Sequence, residues 1–218
     1  MARNKIKETV HQWIWLLLLV FCLIGLVYPL IGALALICML APVIVAFWRG
    51  RMWCGNFCPR GSFNDVVLAK FSARGKTPAF LRANWFRIAF LAGLMSAFAF
   101  QLTLAWGDPV AIGRVFVRMI IVTTLLTIIL GLIYQPRTWC AFCPMGTMAY
   151  FVAGLKQLQP RLRPIRFNRE ACINCNICTK NCPINIDVLS FKQAGVVSDP
   201  NCLKCGVCVA KCPKKALS

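Results

Sequence analysis

The chain has 218 residues, 59% of them hydrophobic and only 14% charged, yet its formal charge is +19. That apolar content excludes an ordinary soluble domain. With no basic helix or aromatic-basic interleaving, nucleic acid is excluded as the reason for the charge. In so apolar a chain, Lys and Arg mark the cytoplasmic side of a membrane, whose phosphate-rich headgroups are partner enough.

A basic start (Arg3, Lys5, Lys7) leads into a run from Trp13 to Trp48 without a charged side chain. As one helix, those 36 residues would reach about 54 Å, beyond a hydrocarbon core of about 30 Å. The run must fold back, and VYPLIG (27–32) supplies the break: Pro29 disfavours helix and Gly32 permits a tight turn. The pattern predicts spans over 12–28 and 31–49, then over 86–106, closed by WGDP (106–109), and over 115–134. A cleaved signal peptide, with ALA (33–35) as its site, is disfavoured because cleavage would orphan the next apolar run. Lys and Arg number eight in 49–87 and twelve in 135–218, against none in 28–31 and two, Arg114 and Arg118, in 105–118. The positive-inside rule then puts both termini and the central loop in the cytoplasm, with the chain multi-pass in a bacterial inner membrane.

A signature follows each helix pair: RMWCGNFCPRGS (51–62) and RTWCAFCPMGT (137–147). They match at Arg51/Arg137, Trp53/Trp139, Cys54/Cys140, Cys58/Cys143, Pro59/Pro144, Gly61/Gly146 and Ser62/Thr147. Two helix pairs of one topology imply parallel repeats about an axis along the membrane normal. Both signatures then emerge on the cytoplasmic face. The stretches after them, 62–71 and 147–158, are too short and polar to span and read as helices lying at the interface.

The C-terminal end carries CINCNICTKNCP (172–183) and CLKCGVCVAKCP (202–213). In such doubled runs three cysteines hold one cubane and the fourth, before proline, reaches to the other. One [4Fe-4S] set is therefore Cys172, Cys175, Cys178 and Cys212, and the other Cys202, Cys205, Cys208 and Cys182. Two structural zinc sites are the competing reading, disfavoured by the doubled spacing with both prolines. Thiolates that carry iron call for a reducing compartment, consistent with a cytoplasmic C-terminus. Residues 168–216 resemble bacterial two-cluster ferredoxins, which implies a small α+β domain whose folding is coupled to metal binding. The chain thus divides into a four-span domain (1–158), a basic linker (159–167) in which Pro160 and Pro164 oppose helix, and a ferredoxin domain (168–218).

Together these features make an α-helical integral membrane protein that resembles the NapH-type membrane ferredoxins, and the C-terminal parts of nitrous-oxide-reductase regulators of the NosR type. Members carry C-x-x-x-C-P twice; here the second copy is C-x-x-C-P. The resemblance implies electron transfer between the quinone pool, or a cytoplasmic donor, and partner redox proteins. It also implies that any enzymatic role is as part of a quinol dehydrogenase.

For Cys54, Cys58, Cys140 and Cys143 three readings stand: shared ligation of a third iron–sulfur cluster, redox-active dithiols, or a structural or assembly role. Arg51, Arg137 and the backbone around Gly61 and Gly146 would offset thiolate charge. Cys22 and Cys38 read as packing residues. His11 is the only histidine, so no bis-His haem forms within the chain, and it reads as an interfacial residue before a quinone ligand. The seven tryptophans fall near span ends as an aromatic belt, and Asp108 reads as a turn residue. Basic residues on the cytoplasmic face suit an acidic donor such as a soluble ferredoxin or flavodoxin. A maturation or regulatory protein supplying reducing equivalents to another metalloenzyme is the alternative class, and a membrane anchor the third.

Overall fold

The computed structural model describes residues 5–73, 75, 77–155 and 164–218. The basic linker therefore lies, as far as residue 163, outside the described residues. Helices α1 (Lys5–Trp13) and α2 (Trp15–Val27) form one apolar rod, Ile14 N–H bonding back to the Val10 carbonyl at 2.9 Å. Tyr28 leaves helical geometry (φ −119°, ψ 83°), and Pro29 opens a 3-10 turn over Pro29–Leu34 that runs into α3 (Ala35–Arg49). The fold-back thus occurs at Pro29, where the missing N–H ends the hydrogen-bond ladder. After the short α4 (Met52–Asn56), α5 (Pro59–Val66) and α6 (Ala79–Arg82) come α7 (Asn84–Leu104) and α8 (Pro109–Ile133). The segments Glu8–Val27, Pro29–Arg49, Asn84–Leu104 and Pro109–Ile133 are long and apolar enough to cross a membrane.

The fourth span begins at Pro109 rather than 115. Asp108 is its N-cap, accepting from Val110 N–H at 2.9 Å, and Pro109 takes the first helical position, where its missing N–H costs nothing. Arg114 and Arg118 are therefore helical, and Asp108 is a cap and not merely a turn residue. Near this end, Gly113 of α8 lies against the backbone of Pro29 and Leu30, and Gly32 against the backbone of Gly113. A Cβ at either position would meet main chain, so close crossing of these spans needs both glycines.

The second signature forms α9 (Thr138–Phe142) and α10 (Pro144–Gly154). Helices α5 and α10 do not lie flat at the interface as expected. Helix α5 packs on α2 and α8, and α10 packs on α3 and α7, burying Ser62, Asn64, Thr147 and Ala149. Small residues at the start of each helix let it slide between spans instead of floating above them. Trp139 also departs from the belt: it is 2% exposed, at the centre of a cluster with Phe90 and Phe142, with the Arg60 guanidinium 5.7 Å from its ring. Trp13, Trp48, Trp85 and Trp106 are exposed near span ends, as a belt requires.

The C-terminal module is built on two short antiparallel strands, β1 (Ile165–Arg166) and β2 (Val196–Val197), with the registers Ile165↔Val197 and Arg166↔Val196. One-turn helices α11 (Ile177–Lys180) and α12 (Val207–Ala210) lie within the two cysteine runs and carry Cys178 and Cys208. Its apolar core of Phe167, Ile186, Val188, Val197 and Leu217 also includes Cys178 and Cys208, so ligand positions make up part of a core too small to be generous.

Candidate metal centres

In the C-terminal module, Cys172, Cys175, Cys178 and Cys212 line one hollow, and Cys182, Cys202, Cys205 and Cys208 line another. Each hollow is lined by three cysteines of one run and the last cysteine of the other. The two halves repeat in backbone detail. Asn174 and Lys204, Asn176 and Gly206, and Asn185 and Lys215 all adopt positive φ. Ile186 N–H points to Cys182 Sγ at 3.4 Å, and Ala216 N–H to Cys212 Sγ at 3.3 Å. Turning three residues per half into the left-handed region aims amide N–H groups inward, where they stabilise negative charge on sulfur.

Burial pushes the Cys202 and Cys208 thiols up to about 12 and raises Cys178 and Cys182. Only a bound metal makes such thiols ionise at neutral pH, so loading releases protons and adds to folding free energy. Among the described residues no three His, Cys, Asp or Glu side chains close around a single metal ion. Four cysteines spaced around an apolar hollow suit a multi-atom cubane better than one tetrahedral zinc.

The four Cys-Pro cysteines come from two separate helix pairs and converge. Cys54 and Cys140 are buried, and each of the four feels the others electrostatically. Cys58 and Cys143 are the N-caps of α5 and α10, each followed by Pro59 or Pro144 at the first helical position. The Cys-Pro dipeptide therefore sets a thiol on a helix N-terminus, where N–H groups face it, as Gly61 N–H faces Cys58. Burial raises the Cys54 and Cys140 thiols and, with the neighbouring cysteines, pushes Cys58 up to about 12.

Arginines tie the halves together reciprocally. Arg137 Nη1 donates to the Cys54 carbonyl at 2.7 Å, and Arg51 Nη2 to the Cys140 carbonyl at 2.6 Å. Each guanidinium also lies over the glycine of the opposite signature, Arg137 beside Gly61 and Arg51 beside Gly146, where a Cβ would crowd it. Both arginines are 2% exposed. Arg137 is forked on Asp65 through Nε and Nη2 at 2.8 and 2.7 Å, and Asp65 also bonds His11 Nε2 at 2.9 Å. Although burial opposes it, the Arg137 guanidinium holds the Asp65 carboxyl well below its ordinary range. Arg51 has no carboxylate partner among the described residues, and its Nε is unpartnered.

His11 is therefore not a plain interfacial residue. It is 4% exposed, its Nδ1 lies 3.3 Å from the Asn56 carbonyl, and Ser62 Oγ donates to the His11 carbonyl. A signal for this was present: Asp65 is the one acid between Glu8 and Asp108, three residues beyond a signature. Arg60 was missed as well; it reaches Thr123 Oγ1 at 2.9 Å and the Ile120 carbonyl at 3.2 Å on α8. Cys22 and Cys38 stand apart on α2 and α3.

The two modules meet at their cysteines. Gly55, next to Cys54, abuts the backbone of Leu203, next to Cys202, with no room for a Cβ. Asn56 Nδ2 donates to the Lys204 carbonyl at 3.3 Å, and Arg137 feels Cys205. Gln135 and Asn185 exchange amide hydrogen bonds of 3.2 and 2.9 Å. The Cys182/Cys202/Cys205/Cys208 quartet is thus the one docked on the membrane-side quartet.

Known proteins sharpen this geometry. A 4Fe-4S binding domain family matches residues 31–78 and again 117–162, so each match contains one Cys-Pro signature, and a 4Fe-4S dicluster domain family matches 164–213. The methylamine utilization ferredoxin-type protein MauN of Paracoccus denitrificans is 29% identical over 74% of this chain and 52% of its own length. The ferredoxin-type protein NapH of Haemophilus influenzae is 31% identical over 66% of this chain and 52% of its own. A protein named YccM from Escherichia coli is 26% identical over 80% of this chain and 53% of its own. The chain spans about half the length of these relatives, and no solved structure matches it. With 4Fe-4S domain matches on both modules, the chain carries iron–sulfur binding domains and is similar over much of its length to ferredoxin-type proteins, a NapH among them.

Proposed function

We propose that the chain is a four-span inner-membrane electron carrier in which two ferredoxin-type [4Fe-4S] clusters are wired to a third iron–sulfur centre at the Cys-Pro site. The ligand sets are Cys172/Cys175/Cys178/Cys212, Cys202/Cys205/Cys208/Cys182 and Cys54/Cys58/Cys140/Cys143. The observation that carries the wiring is the backbone contact of Gly55 with Leu203, which puts neighbours of Cys54 and Cys202 in van der Waals touch. The clusters supply the one-electron chemistry, and the chain's own residues supply spacing, burial and charge.

Charge supports the third centre. Arg51 and Arg137 are buried and permanently cationic, while Asp65 offsets only one of them. A buried guanidinium without a counter-ion costs several kcal/mol, and a thiolate-ligated cluster supplies the missing negative charge. The dithiol reading fits less well, because a reactive pair needs lowered thiol pKa values and burial here moves Cys58 up to about 12.

The reciprocal arginines, the paired packing of α5 and α10 and the twofold domain match support parallel repeats, and the Lys/Arg distribution supports a cytoplasmic cysteine face. Iron and acid-labile sulfide counted per polypeptide test the reading. About twelve iron atoms are expected, falling to about eight in Cys54→Ser/Cys143→Ser. Eight in both proteins would reduce the Cys-Pro site to a structural one. Rapid oxidation or reduction by quinone analogues in proteoliposomes separates an electron carrier on the quinone pool from a maturation protein, which would be inert to quinones and bind an apo-enzyme.

A further inference from the structure

The two ferredoxin quartets are near-copies in backbone and opposites in surroundings. The Cys202 side is covered: Leu203 is 2% exposed and sits on the first Cys-Pro signature. The Cys172 side is open. Cys175 is exposed, Ile173 is 57% exposed at the lip of the hollow it helps to line, and Asn174, Asn176 and Pro213 are exposed beside it.

The rim of this opening is basic. Lys214 lines the hollow itself, and Lys215 beside it is exposed. Lys192 Nζ donates to the Cys172 carbonyl at 3.1 Å and to Asn174 Oδ1 at 2.9 Å, which holds a cation at the edge of the loop. Residues 164–218 hold eight Lys/Arg against three Asp/Glu, and of those acids Asp187 bonds Thr179 Oγ1, Asp199 caps its own turn at Asn201, and Glu170 lies in the Asn168 turn. Lysine ammonium groups around one exposed apolar residue form a small recognition surface with a desolvated centre and a charged rim.

We infer that the Cys172/Cys175/Cys178/Cys212 face is the electron port of the chain, and that its partner is an acidic one-electron redox protein of the flavodoxin or ferredoxin class, seated on Ile173 within the Lys192/Lys214/Lys215 rim. The inference rests on the wired-cluster reading above and deepens it by ordering the clusters: the Cys172 set is outermost, the Cys202 set intermediate, the Cys-Pro site innermost. A cluster held by Cys172, Cys175, Cys178 and Cys212 would take up the single electron that the reduced partner gives up. No proton or bond is transferred. The partner's acidic patch meets the lysines, and complementary charge raises the encounter rate and makes it salt-dependent.

The test uses the full chain, iron-loaded, in nanodiscs of neutral lipid. Binding of an acidic flavodoxin is measured by interferometry at low and high salt. Lys215→Glu, on the rim but not in the lining, is expected to weaken binding severalfold and to flatten its salt dependence. Reduction by dithionite is expected to proceed unchanged, with iron content and visible spectrum showing that the variant is intact. Should Lys215→Glu fail to load iron, Lys215→Gln serves, with a smaller loss of affinity in the same direction.

Flavodoxin affinity equal to the parent's in a loaded variant would overturn the inference. So would affinity of the rim for anionic vesicles in place of the flavodoxin, which would make the surface a lipid contact. Failure of the underlying wiring looks different: flavodoxin would bind at the rim and reduce the ferredoxin clusters, while Cys54→Ser/Cys143→Ser would change neither iron content nor any later oxidation step.

Discussion

Around Arg137 the fold supplies a carboxylate, Asp65, and then a histidine, His11, to hold that carboxylate. Around Arg51 it supplies a carbonyl and nothing anionic among the described residues. In the aligned signatures the position of Asp65 falls on Tyr150, whose ring takes the Arg87 guanidinium at 4.8 Å, so a cation stands where the other half has an acid. The halves share a backbone plan yet differ in what completes them. The Arg137 half is closed by a protein carboxylate; in the Arg51 half no described carboxylate balances the buried charge, and under the proposed third centre the ligated thiolates would balance it.

The sharpest way to break this comparison is to remove each arginine. Arg137→Ala leaves Asp65 without its partner and opens the Cys54 carbonyl, and a loss of about 3–5 kcal/mol is expected from thermal unfolding in detergent. Arg51→Met in iron-free protein is expected to be neutral or stabilising, because it deletes an uncompensated buried charge. In loaded protein the same change should lower the potential of the Cys-Pro centre. One charge several ångströms away at an effective dielectric of about 20 is worth on the order of 2 kcal/mol, about 90 mV for a one-electron couple. An equal cost for both arginines without iron would show that the halves are alike after all.

Asp65→Asn shifts the balance the other way. It should raise the potential of the centre by less than Arg51→Met lowers it, since Asp65 is partly exposed, and cost about 1–3 kcal/mol. The pH dependence follows from the direction of its shift. A carboxyl held below its ordinary value contributes fully above about pH 4 and loses that contribution as acid protonates it in the fold. Acid unfolding of the parent should therefore be steeper than that of Asp65→Asn. His11→Ala has the smallest expected effect, about 1–2 kcal/mol for one hydrogen bond to a charged group, with thermal shift as the readout. Iron content should be unchanged.

The ferredoxin module was legible from its cysteine spacing, because both quartets are written into two short local runs. The spans were legible from hydropathy and from Pro29, to within the helix ends. Less of the membrane-side site was visible. That Cys54 and Cys140 meet depends on α5 and α10 burying themselves between spans, and their short, polar sequences gave no sign of it. His11 and Asp65, 54 positions apart, pair through tertiary packing that no periodicity reports. Trp139 has the same local context as the belt tryptophans, and only the aromatic cluster of Phe86, Phe90 and Phe142 pulls it inside. Gly55 carried information of a different kind. As a residue without a Cβ inside a signature it marked a close backbone approach, but its partner Leu203 lies in another module.

The crossed arginines also set an order of events during synthesis. The carbonyl of Cys54 is held by Arg137, and Gly55 is covered by Leu203, so the first signature leaves the ribosome long before the groups that close it. The C-terminal sheet is itself completed late, when Arg166 and Ser218 exchange backbone bonds of 2.8 and 3.1 Å. A nascent chain that has not yet reached Leu203 would therefore carry the first signature without the backbone that covers Gly55, so the enclosure of Cys54 waits on the ferredoxin module.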